Sequence, residues 1–103
     1  MKLLTKDIIN KATKQYPKGS DMEQMVVAKF FNPAGRGTWY LMNMNKDEDY
    51  CWGICHIYEW EMGSFSMNEL KSVSLPFGLK IERDKFFSTV KASELWTKLN
   101  EEL

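Results

Sequence analysis

The chain of 103 residues is long enough for one domain with a single modest core, so we expect residues 1–103 to form one unit. Hydrophobic residues make up 44% of the chain and aromatic residues 14%, which argues against disorder of the whole chain. The 14 Lys and Arg side chains equal the 14 Asp and Glu side chains in number, so no net charge would hold the protein on nucleic acid or on an anionic membrane.

The sequence shows no pattern typical of secretion or of membrane insertion. Leu3 and Leu4 are followed at once by polar residues, which is not the pattern of a signal peptide. No apolar run approaches the ~20 residues that a membrane-spanning helix needs. The two cysteines, Cys51 and Cys55, are too few for the disulfide scaffold of a small secreted domain. We therefore expect a cytoplasmic protein that does not associate with a membrane.

The first predicted element is a helix over residues 5–16. Thr5 suits the N-cap, and Asp7 suits the positive end of the helix dipole. Apolar residues recur at four-residue spacing on one face of this helix, at Leu4, Ile8, Ala12 and Tyr16. The run Tyr-Pro-Lys-Gly-Ser-Asp at residues 16–21 then ends the helix.

Three strands are predicted after the first helix. Residues 24–31 and 38–44 are rich in β-branched and aromatic residues, and the turn-forming residues 32–37 between them indicate a hairpin. In the second strand, alternation places Tyr40, Met42 and Met44 on one face. Residues 50–60 alternate so that both faces are largely apolar, which is typical of a central strand.

Two glycines carry specific expectations. Gly53 lies within the predicted third strand, and it indicates a bulge or a close approach of the neighbouring backbone. Gly63 follows that strand, and it indicates the end of the strand or a tight turn.

A helix is predicted at residues 67–73 because Ser66 and Glu69 have the spacing of a capping box. Phe65 and Leu70 have the spacing of a hydrophobic staple across its start, and Pro76 follows its end. Residues 80–87 are predicted as a last short extended segment. A C-terminal helix capped by Ser93 then carries an apolar stripe of Leu95, Trp96, Leu99 and Leu103.

The order α-β-β-β-α-β-α predicts an α+β fold, a small antiparallel sheet with helices packed on it. The chain also resembles an uncharacterised family of bacterial domains of about this length that are frequent on plasmids, conjugative elements and phages. The resemblance covers residues 3–95 and rests on Phe-Phe-x-Pro at 30–33, Trp-Tyr at 39–40, Gly53, Glu-x-Gly-x-Phe-Ser-x-x-Glu-Leu at 61–70, Gly78 and Ile-Glu-Arg-Asp-x-x-Phe at 81–87.

The resemblance implies a mobile genetic element as the source of the protein, and it implies no activity, substrate or catalytic residue. The chain departs from the family pattern at three positions. Asn43 and Asn45 stand where family members often have acidic residues, and Trp52 stands where a Phe is usual. Any chemistry that the family performs with those acids would therefore be missing here.

Cysteine and histidine chemistry is not favoured. On one strand, Cys51 and Cys55 lie on the same face about 13 Å apart, too far to share a zinc ion or a disulfide. His56 is the only histidine of the chain and points to the other face, so no nucleophile–base pair forms with Cys55 within the strand. Buried thiols are the expected outcome, and we expect no metal and no cofactor.

Carboxylate chemistry remains an alternative. Glu59 and Glu61 would share one face, and Glu82 and Asp84 would share another, so two facing pairs could bind Mg²⁺ in a carboxylate- or metal-dependent enzyme. Arg83 lies between the latter two acids and is expected to form a structural ion pair, with Glu69 as the candidate partner.

The leading hypothesis is a non-catalytic protein-interaction module. Acidic residues cluster over positions 46–61, and such a patch could contact a basic nucleic-acid groove of a protein partner. One version of this hypothesis is an inhibitor of a host nuclease or defence complex. The candidate interaction surface consists of Asp47, Glu48, Asp49, Glu59 and Glu61.

The alternative is a nucleic-acid-binding accessory protein. The N-terminal region presents a stripe of lysines that could contact phosphates, at Lys6, Lys11, Lys14 and Lys18. The sequence leaves open which of the two charged faces is functional, and it leaves the oligomeric state open.

Overall fold

A computed structural model describes residues 2–101 of the chain. The elements within this range are, in chain order, α1 (Lys6–Lys14), β1 (Met25–Val26), β2 (Ala28–Phe31), β3 (Thr38–Met44), β4 (Tyr50–His56), β5 (Trp60–Ser66), α2 (Met67–Ser72), β6 (Glu82–Arg83), β7 (Val90–Lys91) and α3 (Ala92–Glu101). Short 3₁₀ turns lie at Tyr16–Lys18 and Pro76–Gly78. None of the helices in this range is long and apolar enough to cross a membrane.

The predicted α+β fold is confirmed. Five antiparallel strands form one sheet in the order β5-β4-β3-β2-β6, and β1 pairs with β7 in a separate two-stranded sheet. Helices pack on both faces of the larger sheet, so the fold is a layered one in which each face of the sheet is covered.

Two cores lie on the two faces of the sheet. The first core joins α1 and α2 to the sheet, and its members include Ile8, Ala12, Phe30, Leu41, Met44, Cys51, Met67 and Leu70. The second core joins α3 to the opposite face, and its members include Tyr40, Met42, Ile54, Ala92, Leu95 and Leu99. The apolar stripe predicted for the last helix therefore faces the sheet, although Leu103 lies outside the described residues. In the stripe predicted for the first helix, Leu4, Ile8 and Ala12 lie in the first core, but the prediction is wrong for Tyr16, which lies beyond the end of α1 and is 43% exposed.

The predicted caps of the first two helices are confirmed. The hydroxyl of Thr5 accepts a hydrogen bond from the Ile8 N–H at 3.2 Å. The hydroxyl of Ser66 accepts one from the Glu69 N–H at 3.2 Å. Each bond satisfies a backbone donor that the first turn of a helix leaves without a partner.

The predicted cap of the third helix is wrong. This helix begins at Ala92, so Ser93 lies inside its first turn. Its first N–H groups donate instead to main-chain oxygens of an earlier segment, Ala92 to Gln24 at 2.9 Å and Ser93 to Met22 at 2.8 Å. A tertiary contact therefore replaces the local cap.

The predicted strand over residues 24–31 is two strands in two different sheets. Its first part is β1, which pairs with β7, and its second part is β2, which pairs with β3 and β6. The alternation breaks at Val27 and Ala28, because these consecutive residues are both buried in the first core. Residues 80–87, predicted as one extended segment, contribute only the two residues of β6.

The predicted third strand is also divided. It ends at His56, residues 57–59 form a turn, and β5 returns antiparallel with seven consecutive pairs from His56–Trp60 to Tyr50–Ser66. Gly63 is therefore not the end of a strand, since it lies in the middle of β5 opposite Gly53. The turn Ile-Tyr-Glu contains none of the usual turn residues, so the sequence carried no signal for it.

A bulge in β3 changes which face its side chains occupy. Leu41 pairs with Gly53 and Asn43 pairs with Trp52, so β3 has one residue more than β4 at this point. Because of this extra residue, Met44 lies in the first core, and the prediction that it shares a face with Tyr40 and Met42 is wrong. The expectation of a bulge or a close backbone approach at Gly53 is confirmed: the backbone of Tyr40 and Leu41 lies against Gly53, and the extra residue of the bulge belongs to this neighbouring strand.

Candidate functional site

The five acids of the candidate interaction surface lie at the two ends of β4. Asp47, Glu48 and Asp49 belong to the turn that precedes β4, whereas Glu59 lies in the turn that follows it and Glu61 lies in β5. The seven residues of β4 separate the two groups by about 20 Å along the strand. The structure therefore presents two acidic ends rather than one continuous patch.

Asp49 has a structural role at the start of α2. Its Oδ1 accepts hydrogen bonds from the Ser66 hydroxyl at 2.5 Å and from the Asn68 N–H at 3.0 Å. Its main-chain oxygen accepts a third bond from the Met67 N–H at 2.8 Å. The bonds from Ser66 and Asn68 favour the charged form, so they lower the pKa of the Asp49 carboxyl below its ordinary value.

At the other end of β4, the acids line a groove between α2 and the turn of the β4–β5 hairpin. This hairpin groove has a volume of about 630 Å³. Three carboxylates line it, those of Glu59, Glu61 and Glu69. The other lining residues are mostly apolar, aromatic or small: Trp39, Cys55, Ile57, Tyr58, Gly63, Ser64, Phe65, Ser66, Leu70 and Val73.

The groove is open above β5 because no side chain rises from its middle. Gly63 has no neighbouring atom within 4 Å of the position that a Cβ would occupy. Its cross-strand partner Gly53 also lacks a side chain, but the main-chain oxygen of Tyr40 fills the space that a Cβ of Gly53 would take, so the bare position of the hairpin is that of Gly63. A ligand could therefore approach the backbone of β5 closely.

The carboxylates of the groove have no cationic partner in the described part of the chain. The ion pairs among residues 2–101 join Asp7 to Lys11, Asp84 to Lys29 and Glu23 to Lys91. The guanidinium of Arg36 lies near the same end of the hairpin, 5.6 Å from the ring centroid of Tyr58. No ion pair with another described residue therefore neutralises the negative charge of the groove.

The thiols are not suited to nucleophilic chemistry. Burial raises the pKa of Cys51 to about 12, with a further contribution from the charge of Asp49. Burial raises the pKa of Cys55 to about 11, and the charge of its cross-strand neighbour Glu61 adds to the effect. Both thiols are therefore protonated near neutral pH. The rings of His56 and Trp60 are in tilted contact, with centroids 4.5 Å apart and 55° between their planes.

The two carboxylate pairs considered for metal binding lie on opposite edges of the sheet. Glu61 is in β5 and Glu82 is in β6, and the three strands between them imply a separation of about 19 Å. That distance is far beyond the reach of one shared ion. Among residues 2–101, no group of three or more His, Cys, Asp and Glu side chains could hold a metal.

Arg83 anchors the N-terminal segment to β6. Its Nη1 donates hydrogen bonds to the main-chain oxygens of Lys2 at 2.6 Å and Leu3 at 3.2 Å. The ion pair with Glu69 stays a prediction.

The lysine stripe is divided by the structure. Lys11, Lys14 and Lys18 line a second groove, of about 420 Å³, together with Gln15, Met25, Val27 and Thr89, whereas Lys6 does not line it. The Nζ of Lys11 lies 3.0 Å from the Asp7 carboxylate, so its charge is partly compensated. The two other cations of this second groove are therefore Lys14 and Lys18.

Sequence reasoning missed Glu69, Phe65 and Gly63 as parts of one site. The signal was present in the spacing of residues 61–70: alternate residues of a strand share one face, and the helix that follows turns back over that face. Because the turn at residues 57–59 was not predicted, however, residues 61–66 were not recognised as a strand.

The fold and the groove define a small α+β domain with an open acidic and aromatic groove at one edge of its sheet. The chain belongs to the family described as "Protein of unknown function (DUF2958)", whose model matches residues 2–102. The resemblance to a family of unknown function is thereby confirmed. No curated protein and no solved structure is significantly similar to the chain.

Proposed function

We propose that this protein is a non-catalytic protein-interaction module that binds a basic segment of a partner protein in the hairpin groove. The observation that carries the proposal is the placement, beside an open and largely apolar groove, of three carboxylates that have no ion-pair partner among residues 2–101. A partner that supplies Lys or Arg side chains would neutralise this charge, and the aromatic side chains would supply contact area.

The proposal narrows the candidate surface to one end of β4. Glu59 and Glu61 belong to the groove together with Glu69, whereas Asp49 is occupied by the start of α2. Asp47 and Glu48 lie at the far end of the strand, so they are the natural control positions.

The setting that we propose is the cytoplasm of a bacterial host that carries a mobile element. The partner class is a host nuclease or defence complex, whose nucleic-acid groove is necessarily basic. Carboxylates held on a rigid sheet edge would compete with phosphates for that groove, and the protein would act as an inhibitor. The support for this setting is the resemblance to domains of mobile elements together with the charge of the groove.

The test compares two double variants with the same change of charge. Glu59→Lys/Glu61→Lys reverses the groove, and Asp47→Lys/Glu48→Lys reverses the other end of β4. Partners are captured from host extract with each protein, and the captured partner is purified and titrated calorimetrically. The groove variant should bind at least about tenfold more weakly than wild type, because the introduced lysines would face the Lys or Arg side chains of the partner and repel them. Equal affinity of the groove variant and wild type at low salt would refute the proposal.

A second candidate function rests on the groove that Lys11, Lys14 and Lys18 line. In this alternative, the protein is a nucleic-acid accessory protein that binds phosphates through α1. Binding to single- and double-stranded DNA should then weaken steeply with salt, with a log–log slope of about −2 to −3 for three contacts. Binding that is absent at low salt, or unchanged by Lys14→Glu/Lys18→Glu, would reject this alternative.

A further inference from the structure

We propose that the outer edge of β5 accepts an extended segment of the partner as a sixth strand of the sheet. This inference rests on the proposed function, and it adds the binding mode and the sequence pattern of the bound segment. Strand addition to a free sheet edge is a common mode of peptide recognition, in which main-chain hydrogen bonds give affinity and alternate side chains give specificity.

The hydrogen bonds around β4 determine which groups of β5 point outward. Both main-chain groups of Tyr50 face β3, because its N–H donates to Asn45 Oδ1 at 3.2 Å and its oxygen accepts from the Asn45 N–H at 2.9 Å. One residue earlier, the main-chain oxygen of Asp49 accepts a hydrogen bond from the N–H of Met67, the residue that directly follows β5, so Asp49 faces the β5 side. The direction in which the main-chain N–H and C=O groups point alternates from one residue to the next along an antiparallel strand.

It follows that the main-chain N–H and C=O groups of Glu61, Gly63 and Phe65 form hydrogen bonds with β4. The same groups of the residues between them point away from the sheet. The outward residues are Trp60, Met62 and Ser64. Within residues 2–101, β4 is the only strand that pairs with β5, so these outward groups have no strand partner.

This edge lacks the features that usually prevent strand addition. It is seven residues long, it keeps a continuous register with β4, and it contains no Pro and no Lys. Natural edge strands are commonly kept short, bulged, or guarded by Lys or Pro. The opposite edge of the sheet follows that rule, since β6 has only two residues.

The two faces of β5 define the occupant. On the groove side, an added strand would place every second side chain beside Glu61 and Phe65, so these side chains should be Lys or Arg. On the other side, its remaining side chains would lie beside Trp60 and Met62, and Met62 is 40% exposed. The bound segment therefore alternates basic and apolar residues. A second copy of β5 does not fit this pattern, because β5 contains no Lys or Arg.

The probe is a capped peptide of about eight residues in which Lys and Val alternate. Calorimetric titration should show binding of this peptide, and a peptide of the same composition with the lysines in one block should bind about tenfold more weakly or worse. Hydrogen exchange should show new protection of the outward amides of Trp60, Met62 and Ser64 in the complex. Binding without protection of these amides would overturn the inference.

Two variants separate this inference from the proposed function. Ser64→Pro removes one outward N–H, which is not used in the fold, and leaves all groove carboxylates in place. It should lower peptide affinity by about tenfold or more, as should Glu59→Lys/Glu61→Lys. If only the charge variant weakens binding, strand addition is wrong and the proposed function stands. If neither variant weakens binding, both are wrong.

A third arm keeps the inference testable if Ser64→Pro does not fold. Each of two peptides is N-methylated at every second backbone nitrogen, the second peptide at the nitrogens that the first leaves unmodified. Wild-type protein should bind one peptide normally and fail to bind the other, because only one of the two sets of N–H groups faces β5. Equal binding of both methylated peptides would overturn the inference. A wild-type dimer in sedimentation that Ser64→Pro converts to monomer would also overturn it, since a second copy would then occupy the edge.

Discussion

The close packing of Gly53 gives a quantitative test of the sheet. A Cβ at this position would overlap the main-chain oxygen of Tyr40 and would lie 3.0 Å from its carbonyl carbon and 3.4 Å from the Cα of Leu41. These are backbone atoms of the neighbouring strand, so no side-chain rotation can relieve the clash. Gly53→Ala must therefore move β3 away from β4, and we expect a loss of about 3 kcal/mol in the free energy of unfolding.

The matched control is Gly63→Ala, which adds the same methyl group at the cross-strand partner. No atom lies within 4 Å of the position of that Cβ, and alanine is favoured over glycine within a strand, so the expected change is a gain of about 0.5 kcal/mol. Urea unfolding followed by circular dichroism measures both variants, and the melting temperatures should differ by roughly 15 °C or more. A Gly53→Ala variant as stable as Gly63→Ala would refute the close packing of β3 against β4.

Three further predictions concern polar and sulfur groups. Because hydrogen bonds from Ser66 and Asn68 lower the pKa of Asp49 in the folded state, its stabilising effect is present above the ordinary value of 3.8 and is lost as pH falls through the lowered value. Urea unfolding of Asp49→Asn should therefore depend less on pH in the acid range than unfolding of wild type. Cys55, with its pKa raised to about 11, should react with Ellman's reagent at pH 8 about a hundredfold more slowly than free cysteine, and equal rates would contradict the partial burial that raises this pKa. Asn43→Asp should lower the free energy of unfolding in urea by about 3 kcal/mol at pH 8 and by less at pH 5, since it replaces a buried donor by a carboxylate that faces two acceptors. A variant as stable as wild type would contradict this packing.

The parts of the fold that depend on near neighbours in the chain were predictable. Thr5 and Ser66 were identified as caps because a cap requires only one suitable side chain three residues before the bonded N–H. The stripe that includes Ile8 and Ala12 was identified because helical spacing is local. The α+β class followed from these elements together with the alternating strands.

The parts that depend on strand pairing were not predictable. The turn at residues 57–59 has no turn residue, so β4 and the start of β5 read as one strand. The bulge in β3 lies where the backbone of β3 approaches Gly53, and it reverses the face of Met44. The hairpin groove was missed for the same reason, because Glu61 and Glu69 come together only after β5 and α2 are both in place.

The join between β5 and α2 links the stability of the fold to the geometry of the groove. Ser66 ends β5 and caps α2, and its hydroxyl donates a hydrogen bond to Asp49, which directly precedes β4. The position of Glu69 relative to Glu61 is therefore set by one cap rather than by direct contact between the two carboxylates. The Asp49 carboxylate lies outside the groove, yet it supports α2, the helix that carries Glu69, one of the three groove carboxylates. Charge at the two ends of β4 thus serves two different purposes, structural at Asp49 and, in our proposal, recognition at Glu59 and Glu61.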